Sequence, residues 1–127
     1  MKSMKITLCG STRFMDQYNE WNIKLTMAGH LVYSVARPST SFVQGEGPKE
    51  QTLEPIEKRH LDLIHLAKIE ESDAIFVIDP NYYIGESTQR EIAWANLRGK
   101  LVFYLSRPQY YGLLGCEKPP SNDKGEA

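Results

Sequence analysis

SDAIFVID, residues 72–79, places five consecutive apolar residues between two aspartates. The apolar run is continuous rather than alternating, which is typical of a strand that is covered on both faces, as in a parallel α/β sheet. Similar runs occur at residues 6–9, 31–35 and 101–105. The four runs predict neighbouring strands of one parallel sheet.

The segments between the predicted strands have the spacing of helices. The first carries aromatic and apolar residues at helical intervals, which we expect in the core: Phe14, Tyr18, Trp21 and Leu25. The second carries a comparable set: Ile56, Leu63, Ile64 and Ala67. Gly29 is expected to end the first helix, and the second is expected to end near Ser72. The third is predicted over residues 88–98 and ends at Gly99.

Because strands and helices alternate along the chain, we expect each helix to connect two parallel strands by a right-handed crossover. We predict an α/β fold: a flavodoxin-like or Rossmann-like doubly wound parallel sheet of four to five strands, in the order 2-1-3-4, with helices on both faces. The length of 127 residues fits one domain. We expect this domain over residues 1–115 and a flexible polar tail over residues 116–127. Residues 36–55, rich in Pro, Gly, Ser and Thr, are predicted to form a lid.

Charge and cysteine content restrict the classes of partner. Fifteen basic and 16 acidic side chains give a formal net charge of −1, so we expect no binding of polymeric nucleic acid, whereas a small anionic ligand remains compatible. Cys9 and Cys116 are far apart in sequence, which indicates neither a disulfide framework nor a CxxC pair. The apolar run near the start is too short for a secretory or membrane segment, so we expect a cytoplasmic protein without membrane association.

The first polar cluster, CGSTR at residues 9–13, follows the first strand and opens the first helix. Ligands of open α/β sheets bind beyond the carboxyl ends of the strands. Gly10 lets the backbone approach a ligand, Ser11 and Thr12 supply hydroxyls, and the Arg13 guanidinium could bind an oxyanion in bidentate fashion. The alternative is that Ser11 or Thr12 only caps the helix.

The second cluster, residues 82–91, follows the third strand. Tyrosine rings, including that of Tyr83, could stack on a ligand ring, and Gly85 with the following hydroxyls forms an anion-accepting helix start. Thr88 and Glu91 have the spacing of a capping box, in which the carboxylate only returns to its own helix start. Alternatively, the helix dipole holds Glu91 ionised in the first turn, as a nucleophile requires. Both interpretations stay open.

The third cluster is Asp62 with His65, three residues apart on one face of the second helix. His65 could act as a general acid or donate a hydrogen bond to a bound ring, or it could simply pair with Asp62. In the sequence, no set of His, Cys and carboxylate residues has the spacing of metal ligands, and no Ser-His-Asp triad can be recognised. We therefore expect neither a metal site nor a cofactor.

Three motifs together resemble those of the nucleoside 2-deoxyribosyltransferase-like family: CGSTRF (9–14), HLAKIEESDAIFVI (65–78) and YIGESTQREIAWA (83–95). The similarity covers residues 4–106. The family includes enzymes that exchange the bases of deoxynucleosides and nucleoside 5′-monophosphate N-glycosidases, which release the base to water.

The resemblance implies roles for individual residues. Glu91 would attack C1′ of the sugar, and the CGS-x-R turn would bind the 5′ side of the nucleoside or its phosphate. The family commonly has an aspartate eight residues before Asp73, where this chain has His65, and Asp62 lies one turn away. The expected substrate-binding residues are Cys9, Gly10, Ser11, Arg13, Tyr83, Gly85, Ser87 and Thr88.

We therefore expect an enzyme that cleaves or transfers at the N-glycosidic bond of a (deoxy)nucleoside or nucleoside 5′-monophosphate. Glu91 would be its nucleophile, and His65 or Asp62 would protonate the departing base. An alternative is a catalytically altered nucleotide-binding module, acting as a sensor or accessory subunit, and a third is an interaction domain on a common fold. The resemblance also implies a homodimer or larger homo-oligomer.

Overall fold

The computed structural model describes residues 2–36, 41–42, 48–49 and 55–117, with the backbone alone for the two short middle ranges. The strands are β1 (Lys5–Gly10), β2 (Leu31–Tyr33), β3 (Ser41–Phe42), β4 (Pro48–Lys49), β5 (Ala74–Ile78) and β6 (Leu101–Tyr104). The helices are α1 (Met15–Met27), α2 (Pro55–Glu71) and α3 (Glu86–Leu97), with short 3-10 helices at Thr12–Phe14, Pro80–Tyr82 and Pro108–Leu114. Most of the predicted lid, 36–55, and residues 118–127 of the predicted tail lie outside the described residues.

Four strands of the described chain form a parallel sheet in the order β2-β1-β5-β6, and β3 pairs with β4 in an antiparallel manner. The predicted α/β fold and strand order are confirmed. β5 is buried along its whole length, as its unbroken apolar run requires. β2 ends at Tyr33, two residues earlier than predicted, where the next carbonyl, that of Ser34, accepts a hydrogen bond from the Lys68 amine instead of a neighbouring strand.

The two faces of the sheet are covered by different helices. On one face, α1 packs Tyr18, Trp21 and Leu25 onto the sheet, which confirms three of the four predicted core positions. Phe14, in the 3-10 helix that precedes α1, is only partly buried. The Trp21 ring stacks on Phe76 at 4.4 Å between centroids and meets the edge of Tyr111 at 4.7 Å. On the other face lie α2 and α3, so the sheet has helices on both sides.

Helix α2 forms as predicted, but its buried face differs from the predicted one. Ile56, Leu63 and Ile64 are 77%, 58% and 43% exposed, and the buried residues of α2 are His65 and Ile69. The apolar residues at helical spacing therefore indicated the helix but not its orientation. A histidine occupies the centre of the face that packs on the sheet, which places an imidazole at the carboxyl edge of β1.

The two aspartates that flank β5 connect neighbouring segments. Asp73 accepts a hydrogen bond from the backbone N–H of Lys5 at 2.8 Å, which joins the starts of β5 and β1. Asp79 is buried and accepts from the N–H of Ser106 at 2.9 Å and from its hydroxyl at 2.7 Å. Asp79 therefore holds the chain that leaves β6 against the carboxyl end of β5.

Replacing Ser106 by Ala removes the hydroxyl that donates to Asp79 and leaves the backbone bond in place. A hydrogen bond to a carboxylate contributes about 1.5–3 kcal/mol, so we expect the free energy of unfolding to fall by about 1.5 kcal/mol in urea denaturation. The control is Ser3→Ala, whose exposed hydroxyl also donates one hydrogen bond, to the Gly29 carbonyl. Equal stability of the two variants would contradict the role given to Asp79.

Candidate functional site

The site begins at the turn that leaves β1. Gly10, the last residue of β1, has φ of 147°, and an added Cβ would lie 2.7 Å from the carbonyl oxygen of Ile78 in β5. The Tyr18 hydroxyl donates to the Gly10 carbonyl at 2.7 Å. A glycine is needed here because the backbone of β1 passes against β5, and this close approach sets the position of the turn that follows.

A cavity of about 400 Å³ opens beyond the carboxyl ends of β1 and β5, within the volume range of small-molecule sites. Nine of the 11 site residues expected from the sequence line it: Gly10, Ser11, Asp62, His65, Tyr83, Gly85, Ser87, Thr88 and Glu91. The fold therefore brings the three polar clusters together, as the rule for open α/β sheets predicts.

The two expected residues that do not line the cavity are Cys9 and Arg13. Cys9 is fully buried in the sheet, with no exposed surface for a substrate. Arg13 is exposed, and its guanidinium lies over the Tyr83 ring at 4.7 Å from the centroid. The Ser11 hydroxyl accepts a hydrogen bond from the N–H of Arg13 at 3.3 Å and so caps the short 3-10 helix at Thr12–Phe14. Ser11 also lines the cavity, so the alternative that it only caps a helix is not confirmed.

The capping-box interpretation of Glu91 is wrong. Helix α3 begins at Glu86 with Gly85 as its N-cap, and no side-chain hydrogen bond from the described residues caps it. Thr88 is the third residue of the helix and is buried rather than at the cap position. Glu91 consequently lies in the second turn, where its carboxylate faces the cavity with 16% of the side chain exposed.

The electrostatics of Glu91 also differ from the expectation that the helix dipole keeps it ionised. Burial raises the pKa of Glu91 to about 7; the Cys9 thiol opposes this rise and the Asp62 carboxylate adds to it. The dipole acts mainly on the first turn, and Glu91 is one turn further along. Both protonation states of Glu91 are therefore populated near neutral pH.

His65 and Cys9 lie beside Glu91. The His65 Nε2 atom is 3.6 Å from the Cys9 Sγ and 3.9 Å from the Glu91 Oε1, and the three donor groups all lie within 4.8 Å of one another. Burial, with the positive charge of Lys68, lowers the pKa of His65 to about 4, so the imidazole is neutral at pH 7. Burial raises the pKa of Cys9 well above its ordinary value.

These contacts correct two expectations. His65 does not pair with Asp62, which instead forms an ion pair with Lys58 at 3.1 Å. The sequence shows no His, Cys and carboxylate set with metal-ligand spacing, yet the fold brings Cys9, His65 and Glu91 together from three different elements. Spacing along the chain cannot reveal a set that forms only when β1, α2 and α3 converge.

Two lysines of the cavity wall, Lys58 and Lys68, were missed from the sequence. The Lys68 amine donates to the Ser34 carbonyl at 2.8 Å, and Lys58 pairs with Asp62. Positions 58, 61, 65 and 68 follow one another at helical intervals, so the face of α2 that carries His65 also presents both lysines. The sequence would have predicted both lysines at the site if His65, rather than the apolar residues, had been taken as the centre of the face of α2 that points to the cavity.

Comparison with known proteins supports the fold. Neither a protein-family sequence model nor a curated protein sequence matches this chain. Among solved structures, the chain is similar to the CMP N-glycosidase BcmB of Clostridium botulinum, with a TM-score of 0.50 and 18% sequence identity; the match covers 79% of this chain and 69% of that one. This similarity shows a shared α/β architecture. Among the helices of the described residues, none is long and apolar enough to cross a lipid bilayer.

Proposed function

We propose that the protein cleaves the N-glycosidic bond of a nucleoside 5′-monophosphate or a related (deoxy)nucleoside, with Glu91 as the nucleophile. The observation that carries the proposal is the placement of the Glu91 carboxylate in the cavity wall, free of any capping role in its own helix. Two further observations support it: the motif resemblance to the deoxyribosyltransferase-like family, and the similar fold of a protein described as a CMP N-glycosidase.

In the proposed reaction, the ionised Glu91 carboxylate attacks C1′ as the bond from C1′ to the base nitrogen breaks. The electron pair of that bond leaves with the base, which takes up a proton, and the sugar becomes attached to a Glu91 oxygen. Water then attacks C1′ and gives up a proton to the solvent, which releases the sugar and the carboxylate; attack by a second base instead would give transfer. The transition state resembles an oxocarbenium ion, which a carboxylate close to C1′ stabilises.

The charged form of Glu91 is the reactive form in this scheme. Because the pKa of Glu91 is raised to about 7, the ionised fraction is substantial at neutral pH and increases as the pH rises. A bound sugar that develops positive charge at C1′ favours the carboxylate further. The environment of Glu91 is therefore compatible with nucleophilic attack under ordinary cellular conditions.

The departing base needs a proton, and Asp62 is the better placed of the two candidates. His65 is neutral at pH 7 because its pKa is lowered to about 4, so its imidazolium form is rare and the ring is a poor proton donor. Asp62 lines the cavity, and its side chain is 49% exposed, which leaves it accessible to a ligand. Because the Asp62 carboxylate is paired with Lys58, we propose that it passes a proton from solvent water to the departing base.

Asp62→Asn should lower the rate of base release about 100-fold, because general acid catalysis contributes at least that factor. The rate is measured by chromatography of the free base under saturating substrate. Asp16→Asn, on the exposed surface of α1, is the matched control and should leave the rate unchanged. A wild-type rate in Asp62→Asn would exclude Asp62 as the proton donor.

The cavity also offers groups for an anion. The N-terminus of α3 at Gly85, the Ser87 hydroxyl and the Lys58 and Lys68 amines all lie along its wall. Backbone N–H groups at a helix start and nearby lysines are a common phosphate-binding arrangement. We therefore propose that 5′-monophosphates are better substrates than the corresponding nucleosides.

The test is a panel of ribonucleosides, deoxynucleosides and their 5′-monophosphates, incubated with the protein in the presence of a chelator and analysed for free base. Release from at least one member supports the proposal. The second candidate is a nucleotide-binding module without catalysis, which His65 favours because it occupies the position of the family's usual aspartate. Thermal stabilisation by a nucleotide with no base released from any member would identify that module.

A further inference from the structure

The donor atoms of Cys9, His65 and Glu91 converge from three separate elements, β1, α2 and α3. The Sγ to Nε2 distance is 3.6 Å, the Nε2 to Oε1 distance is 3.9 Å, and all three groups lie within 4.8 Å of one another. With Zn–S of about 2.3 Å and Zn–N of about 2.0 Å, adjacent ligands of a tetrahedral zinc ion lie about 3.3–3.6 Å apart. The three donors can therefore surround one ion after side-chain shifts of less than about 1 Å.

The chemistry of this donor set is that of a zinc site. Thiolate, imidazole and carboxylate are the three ligand types that zinc uses in proteins. The His65 side chain is 9% exposed, and within the described part of the chain its Nδ1 atom has no hydrogen-bond partner. Coordination releases the proton of the Cys9 thiol to solvent. The resulting thiolate and the Glu91 carboxylate carry two negative charges, so a bound dication gives a neutral cluster, which is much less costly to bury than an isolated charge.

The surroundings provide access and an open coordination position. His65 and Glu91 line the cavity, whereas Cys9 lies fully buried beside them. An ion between the three would thus have protein ligands on its inner side and the cavity on its outer side. This arrangement, three protein ligands and one position open to water or to a small ligand, is typical of non-structural zinc sites.

We propose that Cys9, His65 and Glu91 form a binding site for a divalent zinc-type cation at the wall of the cavity. The proposal that this site binds a metal is based on the geometry of the three side chains and does not depend on the proposed reaction. Its effect on activity does rest on the proposed function: an ion coordinated by Glu91 occupies the nucleophile, so the metal-bound form is inactive and zinc is an inhibitor of base release. The zinc-bound and catalytic forms exclude each other.

Cobalt(II) provides the direct test, because it replaces zinc and is visible by absorption. Protein freed of metal by chelation and dialysis is titrated with cobalt chloride. We expect a near-ultraviolet charge-transfer band from a thiolate ligand and visible bands with the intensity of tetrahedral cobalt. The bands should saturate at one ion per chain, and addition of zinc should abolish them. Absence of the charge-transfer band in folded wild-type protein would overturn the proposal.

Variants assign the ligands. The chain has two cysteines, and Cys116→Ser leaves the proposed site unaltered. If this variant keeps the charge-transfer band, the thiolate ligand is Cys9; if it loses the band, the assignment to Cys9 is contradicted. Cys9→Ser should abolish the band, and His65→Gln and Glu91→Gln should each weaken cobalt binding at least about tenfold. Circular dichroism checks that each variant is folded. Unchanged affinity in both folded His65→Gln and folded Glu91→Gln would also refute the site.

The titration contains no substrate, and the base-release panel contains a chelator. If cobalt does not bind, the proposed reaction is therefore not contradicted. If no base is released, the proposed metal site is not contradicted. If both hold, base release should fall in proportion to the zinc-bound fraction of the protein and recover fully when chelator is added. Undiminished base release at zinc saturation would contradict the mutual exclusion of the two forms.

Discussion

Glu91→Gln should lower base release by a factor of about 10⁴ or more, since loss of a nucleophile removes most of the catalysis that depends on it. The amide keeps the shape of the side chain but cannot attack C1′ or compensate the positive charge that develops there. The fold should be retained, because the substitution removes an ionisable group that is largely buried and whose charged form burial disfavours. The measurement is single-turnover base release with a chelator present.

Two further substitutions determine whether the position or only the charge of the carboxylate matters. Glu91→Asp keeps the charge but withdraws the carboxylate by one methylene, and a displacement of about 1 Å can reduce a rate about 100-fold. Glu71→Gln, on the exposed last turn of α2, is the matched control and should have the wild-type rate. A Glu91→Gln variant that is as active as the wild type would remove Glu91 from the reaction.

Gly10→Ala should be the most destabilising of the conservative substitutions considered, with a loss of about 3 kcal/mol in the free energy of unfolding. Two costs add at this position. The φ angle of 147° disfavours any residue with a Cβ, and the new Cβ would lie 2.7 Å from the Ile78 carbonyl oxygen and 3.0 Å from the Ile78 Cβ. Neither strand can move aside easily, because β1 and β5 are hydrogen-bonded neighbours in the sheet.

Alanine substitutions at two other glycines test the cost of the positive φ angle separately from the cost of the steric overlap. Gly99 has φ of 72° but open space around it, so Gly99→Ala should cost only about 1 kcal/mol. Gly112 has neither a positive φ nor a close neighbour, so Gly112→Ala should change the stability by less than about 0.5 kcal/mol. Urea denaturation of the three variants checks the order. If Gly10→Ala is no less stable than Gly99→Ala, the close approach of β1 to β5 does not constrain the turn.

The sheet could be predicted from the sequence because its strands are short, continuous apolar runs separated by helical periodicity. The run at residues 74–78 has this form because β5 lies at the centre of the sheet with helices on both faces. The order of the strands was predicted from the flavodoxin-like doubly wound arrangement with right-handed crossovers, which depends on the alternation of elements and not on individual side chains. These are properties that a single sequence records directly.

The rotation of α2 could not be predicted from its apolar residues. Ile56, Leu63 and Ile64 are exposed, and His65 is buried instead. An apolar side chain is tolerated at the surface, whereas a histidine inside the protein depends on the surrounding residues. Those surroundings, Cys9 and Glu91, belong to other elements, so the pattern within α2 contains no sign of them.

The start of α3 shows a different limit. A threonine three residues before a glutamate is the signature of a capping box, and the same spacing occurs here inside the helix. Gly85 takes the N-cap position one turn earlier, which moves Glu91 out of reach of the helix start and into the cavity wall. Which residue begins a helix depends on the path of the preceding chain, and this path is set by Pro80–Tyr82 after β5.

The most direct test of the nucleophile is to trap the sugar on the protein. A 2′-deoxy-2′-fluoro nucleoside 5′-monophosphate slows release of the glycosyl group, so intact-mass spectrometry should show wild-type protein heavier by one fluorosugar phosphate. Peptide mapping should place this group on Glu91, and Glu91→Gln should remain unmodified. Base release from the natural substrate with the adduct on another residue, or in undiminished amount from Glu91→Gln, would contradict the account.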